Sequence, residues 1–142
     1  MRNTLMILAF ASLMAASAKP AEAQYVVIVN AQSSLSNISA ADLSKLFQKK
    51  ARRLPDGSDA VPLDQDKNSS VREAFSQAVH GRGVAQIEAY WQQQIFAGKD
   101  VPPDTRASDA DVIAFVGSTP GAIGYVSSSA TLGSSVRQVT VR

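Results

Sequence analysis

A polar loop that runs directly into an amphipathic helix, over residues 64–75, carries the residues best suited to chemistry. The first turn of a helix points unpaired backbone N–H groups and the positive end of the helix dipole at one place, which suits an anion. Serine hydroxyls at such a helix start can donate further hydrogen bonds. We therefore predict an oxyanion site on this junction. Its predicted ligands are Ser69, Ser70 and the backbone at Val71 and Arg72, with Gln65 and Asn68 lining the loop.

The charges around this junction support two interpretations. Arg72 or Lys67 would add positive charge for an anion. Ser70 and Glu73 instead have the spacing of a capping box, which is typical of an ordinary helix start without a ligand. A carboxylate at Glu73 would also use the field of the helix end and repel a second anion. Both interpretations stay open at the level of sequence.

Other candidate sites are weaker. The only histidine, His80, precedes Gly81 at a predicted helix end, where a cation interacts favourably with the dipole, so we predict a structural role for it. One histidine and no cysteine exclude the common zinc sites. Asp64 and Asp66 lack the later Gly and Glu of a calcium loop, so we predict no metal. No nucleophile elbow or phosphate-binding P-loop is present, and we predict that the protein is not an enzyme and needs no cofactor.

Strands and helices alternate along the chain, which predicts an α/β fold. Apolar or alternating runs predict strands at residues 25–30, 60–63, 122–127 and 136–141. Apolar residues at helical spacing predict helices at residues 40–48, 71–79 and 84–96, and a fourth helix after Ser108. Ser39 and Ser108 are the expected N-caps of the first and fourth helices, and Gly98 is the expected stop of the third.

The first 23 residues have the pattern of a secretory signal peptide. Arg2 supplies the positive region, residues 5–18 are apolar, and residues 21–23 form a small-x-small cleavage site. We therefore predict export to the periplasm and a mature chain of residues 24–142 that forms one domain. This mature chain has 12 basic and 11 acidic residues. Since it has no basic stripe or aromatic platform, we expect no nucleic-acid partner.

Three segments in order resemble a known family. They are residues 38–47, the loop and helix of residues 64–75, and the motif Thr-Pro-Gly-Ala-Ile-Gly-Tyr-Val at residues 119–126. Together they resemble the phosphate-binding component of ABC transporters, a family of type II periplasmic binding proteins. A complete member is about twice as long and has two lobes. The resemblance implies that this chain is an α/β single lobe, with a small mixed sheet flanked by helices.

The resemblance also implies a ligand and partners. It implies binding of phosphate or a related oxyanion, linked to ABC-type uptake or sensing, with an ABC permease or another envelope protein as partner. Where the family has Arg and Asp in the anion loop, this chain has Gln65 and Lys67, while Ser69 matches the family's Ser. A single lobe leaves the anion wet, so we expect weak binding and a possible homodimer that supplies the missing wall. The alternative is a lobe that has lost its ligand and contacts another envelope protein.

Overall fold

The computed structural model describes residues 24–142, and the predicted signal peptide at residues 1–23 lies outside them. In this part the chain forms a six-stranded sheet and four α-helices. The strands are β1 (Tyr25–Asn30), β2 (Asn37–Ile38), β3 (Val61–Gln65), β4 (Asp104–Arg106), β5 (Ala122–Ser127) and β6 (Val136–Val141). The helices are α1 (Ala40–Phe47), α2 (Ser70–Phe75), α3 (Val84–Phe96) and α4 (Asp109–Ser118). A π-helical segment, Ser76–His80, continues α2.

The sheet is mixed, with the strand order β2-β6-β1-β5-β3-β4. β1 is antiparallel to its neighbours β5 and β6. The other pairs are parallel: β3 with β4, β3 with β5, and β2 with β6. The carboxyl ends of β3, β4 and β5 therefore meet at one edge of the sheet. Because α2 follows β3 and α4 follows β4, both helices begin at that edge.

Helices cover both faces of the sheet. On one face, α1 and α2 bury Phe47 and Phe75 against Tyr125 of β5, and the rings of Phe75 and Tyr125 stack with centroids 3.9 Å apart. On the other face, α4 packs against β1, β3 and β5 through Val112 and Val116. This burial of large side chains on two faces is the main stabilisation of a chain without cysteine.

Most predicted elements are confirmed. The strands at 25–30, 122–127 and 136–141 and the helix at 84–96 have the predicted bounds, and β3 extends two residues beyond its predicted end. Ser39 caps α1 by accepting a hydrogen bond from the Asp42 N–H, and Ser108 caps α4 in the same way. The short strands β2 and β4 were not predicted. They consist of two and three residues, too few to show a period.

His80 is structural, as predicted, but the predicted reason is wrong. Its ring is half-buried, its Nδ1 lies 2.8 Å from Ser44 Oγ, and its edge packs on Phe75. Burial, reinforced by Arg72, Arg82 and Lys50, lowers the pKa of His80 from 6.5 to about 4. The imidazole is therefore neutral near pH 7, and no histidine cation interacts with the helix end.

We expect the free energy of unfolding to decrease as the pH falls from 6.5 to 4. Within this window the unfolded chain binds a proton at His80 that the folded chain does not, so acid favours unfolding. The expected loss is about 1–2 kcal/mol, because solvent reaches part of the ring and screens the effect. Urea unfolding at several pH values measures it. A His80→Gln variant should lose this part of the pH dependence; if the variant keeps the same slope, another group is responsible.

Candidate functional site

The predicted anion junction lies at the carboxyl edge of the sheet. β3 ends at Gln65, a loop of four residues follows, and α2 begins at Ser70. The loop is fixed by backbone bonds, since the Asp66 carbonyl accepts from the Ser69 N–H at 2.9 Å and Asp66 N–H donates to Arg106 O at 3.1 Å. Asn68 is exposed, and its N–H donates to Asp66 Oδ1 at 2.9 Å.

The N-cap of α2 is Ser69, so the predicted capping box between Ser70 and Glu73 is wrong. Ser69 Oγ accepts from the Arg72 N–H at 3.3 Å, and Ser69 O accepts from the Glu73 N–H at 3.2 Å. The N–H groups of Ser70 and Val71 make no hydrogen bond to residues 24–142. Ser70 is exposed and Val71 is half-buried. Two free amides therefore begin α2, while the Arg72 amide, which was predicted to bind the anion, already has an acceptor.

Glu73 is turned away from these free amides. Its Oε2 accepts from the Val84 N–H at 3.0 Å, and its Oε1 accepts from the Gln77 amide at 3.0 Å. The hydrogen bond from Val84, followed by that from Gln77, holds the pKa of the Glu73 carboxyl below its ordinary value. Glu73 thus caps the start of α3, and its carboxylate does not occupy the N-terminal field of α2.

The Arg72 guanidinium is paired with carboxylates inside the protein, which corrects the expectation that it adds charge for an anion. Arg72 is buried, and its Nε lies 3.4 Å from Asp64 Oδ1. Its Nη1 donates to Gln65 O at 3.0 Å and its Nη2 to Glu88 Oε1 at 2.7 Å. A buried arginine needs such partners, because an unpaired charge in the interior is costly. Lys67 remains exposed and makes no ion pair within the described chain.

Asp64 forms the centre of this buried ion cluster. Its Oδ1 accepts from the Tyr125 hydroxyl and from the Gln65 N–H as well as from Arg72. Burial raises the pKa of the Asp64 carboxyl, although Arg72 and the Tyr125 hydroxyl act in the opposite direction. Burial and the Asp64 carboxylate in turn raise the pKa of Tyr125, so this hydroxyl stays protonated and donates. The cluster fixes the end of β3, on which the anion loop stands.

Gln65 connects the start of α2 to the start of α4. The side chain is only 3% exposed, so it supports the loop from below rather than opening towards solvent. Its Oε1 accepts from Ser69 Oγ at 2.9 Å, and its Nε2 donates to Asp109 Oδ1 at 2.9 Å and to Tyr125 O at 3.0 Å. All donors of this amide are therefore used inside the protein.

Sequence reasoning missed Asp109. Its Oδ1 accepts from Gln65 and also from the Ser127 N–H at 3.1 Å. The serine cap at Ser108 correctly marks where α4 begins, but β4, which brings α4 to the same edge as α2, is too short to recognise. A carboxylate next to the proposed anion loop was thus unforeseen.

A cavity of about 240 Å³ lies beside the loop. Its lining includes Asp64, Asp66 and Glu88 together with Lys67 and Arg72. Neither Ser69 nor Ser70 contributes to it, so this cavity is not the predicted anion site. Within residues 24–142, no group of three or more acidic or histidine side chains is placed to hold a metal ion. The same residues contain no helix that is long and apolar enough to cross a membrane.

Comparison with known proteins identifies the fold. No protein-family model matches the chain, and no curated protein matches it in sequence. A protein of Clostridium perfringens, assigned as a phosphate ABC transporter substrate-binding protein and solved with bound phosphate, superposes with a TM-score of 0.65 and 17% identity. The match covers 83% of this chain and 44% of that one. An ABC-type phosphate transport receptor from Vibrio cholerae gives a TM-score of 0.65 and 13% identity, covering 83% of this chain and 46% of the receptor.

These matches confirm the predicted fold. The chain has the α/β fold of part of a phosphate-binding protein of ABC transporters, with a mixed sheet flanked by helices. It spans less than half the length of the structures it matches. At these identities the likeness concerns the fold alone, and the ligand has to be argued from this chain's own residues.

Proposed function

We propose that this protein binds phosphate or a related oxyanion at the start of α2 and is not an enzyme. The observation that carries the proposal is the pair of free N–H groups at Ser70 and Val71, which point out of an exposed helix start. Ser70 adds a hydroxyl, and the exposed Lys67 is the remaining cation on the loop. The hydroxyl of Ser69, the other predicted ligand, donates to Gln65 Oε1 and caps α2, so we propose that Ser69 holds the helix start in place. Asn68 lines the outer side of the loop and Gln65 its base. The structure solved with bound phosphate shows that a protein of this fold can hold this anion.

The proposed affinity is low. Gln65 is neutral and fully hydrogen-bonded, and Arg72 is committed to carboxylates, so only Lys67 offers a charge-assisted bond. Each missing hydrogen bond to a charged group is worth about 1.5–3 kcal/mol, and losing several moves a nanomolar site to about millimolar. A second copy of the chain, or another protein, would supply the missing wall. Sedimentation that finds only monomer, with and without phosphate, would argue against the homodimer.

We further propose that the chain is exported and acts in ABC-type phosphate uptake or sensing in the periplasm. The signal-peptide pattern of residues 1–23 supports export. The fold shared with transport receptors supports the link to an ABC permease. N-terminal sequencing of the secreted protein tests the first step and should begin at Gln24. A cytoplasmic protein that retains Met1 would reject it.

Titration with inorganic phosphate tests the site directly. In ¹H–¹⁵N correlation spectra of residues 24–142, the largest shifts should occur at the amides of Ser70 and Val71, with a dissociation constant of about 1 mM. Ser69→Ala should weaken binding about fivefold, because it removes the cap that holds the amides in place. Ser39→Ala is the matched control, since it removes the same kind of cap from α1 and should leave binding unchanged.

The rival function is an interaction module without a small ligand. One observation favours it. The Gln65 amide is fully hydrogen-bonded to Ser69, Asp109 and Tyr125, and the Asp109 carboxylate lies beside the loop. In that case phosphate, sulfate and small carboxylates at about 50 mM and constant ionic strength would all leave the amide spectrum of α2 unchanged and the thermal midpoint unshifted. That result would replace oxyanion binding by the rival.

A further inference from the structure

The end of α3 presents large apolar side chains to solvent. Phe96 is 98% exposed, Ile95 52% and Val101 58%. Gly98, at a φ of 66°, reverses the chain just after the helix, and its N–H donates to Ile95 O at 3.0 Å. Lys99 follows at once, with its N–H bonded to Gln94 O at 3.0 Å. We call these four residues, Ile95, Phe96, Lys99 and Val101, the α3 tip.

Basic residues from the end of α1 lie beside the α3 tip. Lys50 Nζ lies 5.5 Å from the ring centroid of Tyr90, and Arg52 pairs with Asp100 at 2.8 Å. These two contacts join the segment after α1 to the middle of α3 and to Asp100, which follows the helix. Lys49, Lys50 and Lys99 make no ion pair with any described residue. Lys49, Arg52 and Lys99 thus lie near Asp100, and basic side chains outnumber acidic ones beside the residues that follow α3.

We propose that the α3 tip docks on an anionic lipid surface. An exposed aromatic ring followed by Lys99, on a side of the molecule where basic residues are in excess, fits such a surface, because the ring enters the headgroup layer while the ammonium groups contact anionic headgroups. The tip protrudes rather than forming a groove, and a fluid lipid layer adapts to a protrusion. A second copy of the chain fits less well, since two tips in contact would bring lysines of like charge together.

Co-sedimentation with vesicles tests this inference. The sample is residues 24–142, because the apolar stretch at residues 5–18 would bind lipid by itself. The whole sheet and both of its packed faces lie within residues 24–142. Vesicles of phosphatidylcholine with about 30% phosphatidylglycerol should bind the protein, and vesicles of phosphatidylcholine alone should not. We expect Phe96→Ser to weaken binding about tenfold and Lys99→Ala about fivefold. At 98% exposure, Phe96 contributes little to folding, so its replacement reports on docking.

Arg82→Ala is the matched control, because it removes one exposed positive charge at the other end of α3, about 20 Å away. It should change binding less than twofold. Equal binding of wild type and Phe96→Ser, or no binding to the anionic vesicles at low ionic strength, would overturn the inference. A dimer in sedimentation velocity that Phe96→Ser dissolves would also overturn it, by assigning the tip to self-association.

Discussion

Replacing Arg72 by methionine should lower the free energy of unfolding by about 3–5 kcal/mol, measured by urea unfolding at pH 7. Methionine keeps much of the apolar volume but leaves the Asp64 carboxylate in the interior without its guanidinium partner. The remaining hydrogen bonds from Tyr125 and the Gln65 N–H do not neutralise that charge. The variant therefore separates the electrostatic role of Arg72 from its packing.

Three controls define this result. Glu88→Gln removes the other carboxylate, which is partly exposed, and should cost only about 1 kcal/mol. Asp64→Asn combined with Arg72→Met should recover part of the loss, because a neutral amide can still accept from Tyr125. Without Arg72, the pKa of Asp64 rises further above its value in the unfolded chain. The free energy of unfolding of the variant then falls as the pH rises. The difference in this free energy between the variant and the wild type should therefore shrink towards pH 4. A deficit below about 1 kcal/mol at pH 7 would show that the cluster is not a coupled unit.

This cluster also shows where prediction from sequence stopped. From the sequence, Arg72 or Lys67 was expected to add positive charge for an anion. The burial of Arg72 depends on Asp64, which precedes it by eight residues, and on Glu88, which follows it by sixteen. Neither partner is visible in a local pattern, since Asp64 lies on β3 and Glu88 on α3, and only the tertiary fold brings both to Arg72.

The helix starts were predictable to the extent that local chemistry decides them. Ser39 and Ser108 were correctly predicted as caps because each is followed by a clear apolar period. At the anion loop two serines follow each other, and the choice between Ser69 and Ser70 depends on the bond from Ser69 N–H to the Asp66 carbonyl. The position of the free amides therefore required the structure, although the existence of the junction did not.

The hydrogen bond between Gln65 and Asp109 could not be predicted from the sequence, because it depends on the order of strands in the sheet. The two residues are 44 positions apart, and only the parallel pairing of β4 with β3 brings α4 to the start of α2. β4 has a sequence of Asp-Thr-Arg, which carries no strand signal. A polar tripeptide at the edge of a sheet is held by its neighbour rather than by its own propensity.

The turn that positions β3 requires a glycine at residue 121, within the motif at residues 119–126. Gly121 has a φ of 79°, and a Cβ built on it would lie 2.1 Å from the carbonyl oxygen of Asp59. The Gly121 carbonyl accepts from the Val61 N–H at 2.9 Å, immediately before the pairing of β3 with β5 begins. Gly121 thus permits the close approach that sets the register of the strand ending at Gln65.

Replacing Gly121 by alanine should therefore cost about 3 kcal/mol or more, the sum of a left-handed backbone and an overlap with a backbone atom that cannot move aside cheaply. Gly133→Ala separates the two causes. Gly133 has a similar φ of 72° but nothing within 4 Å of a built Cβ, so its replacement should cost only about 1 kcal/mol. Chemical unfolding of both variants measures the difference. Equal losses would mean that the turn yields to the methyl group and that backbone conformation alone explains the glycine. A larger loss at Gly121 would locate the constraint in the contact with Asp59, and hence in the register that places the end of β3 beneath the anion loop.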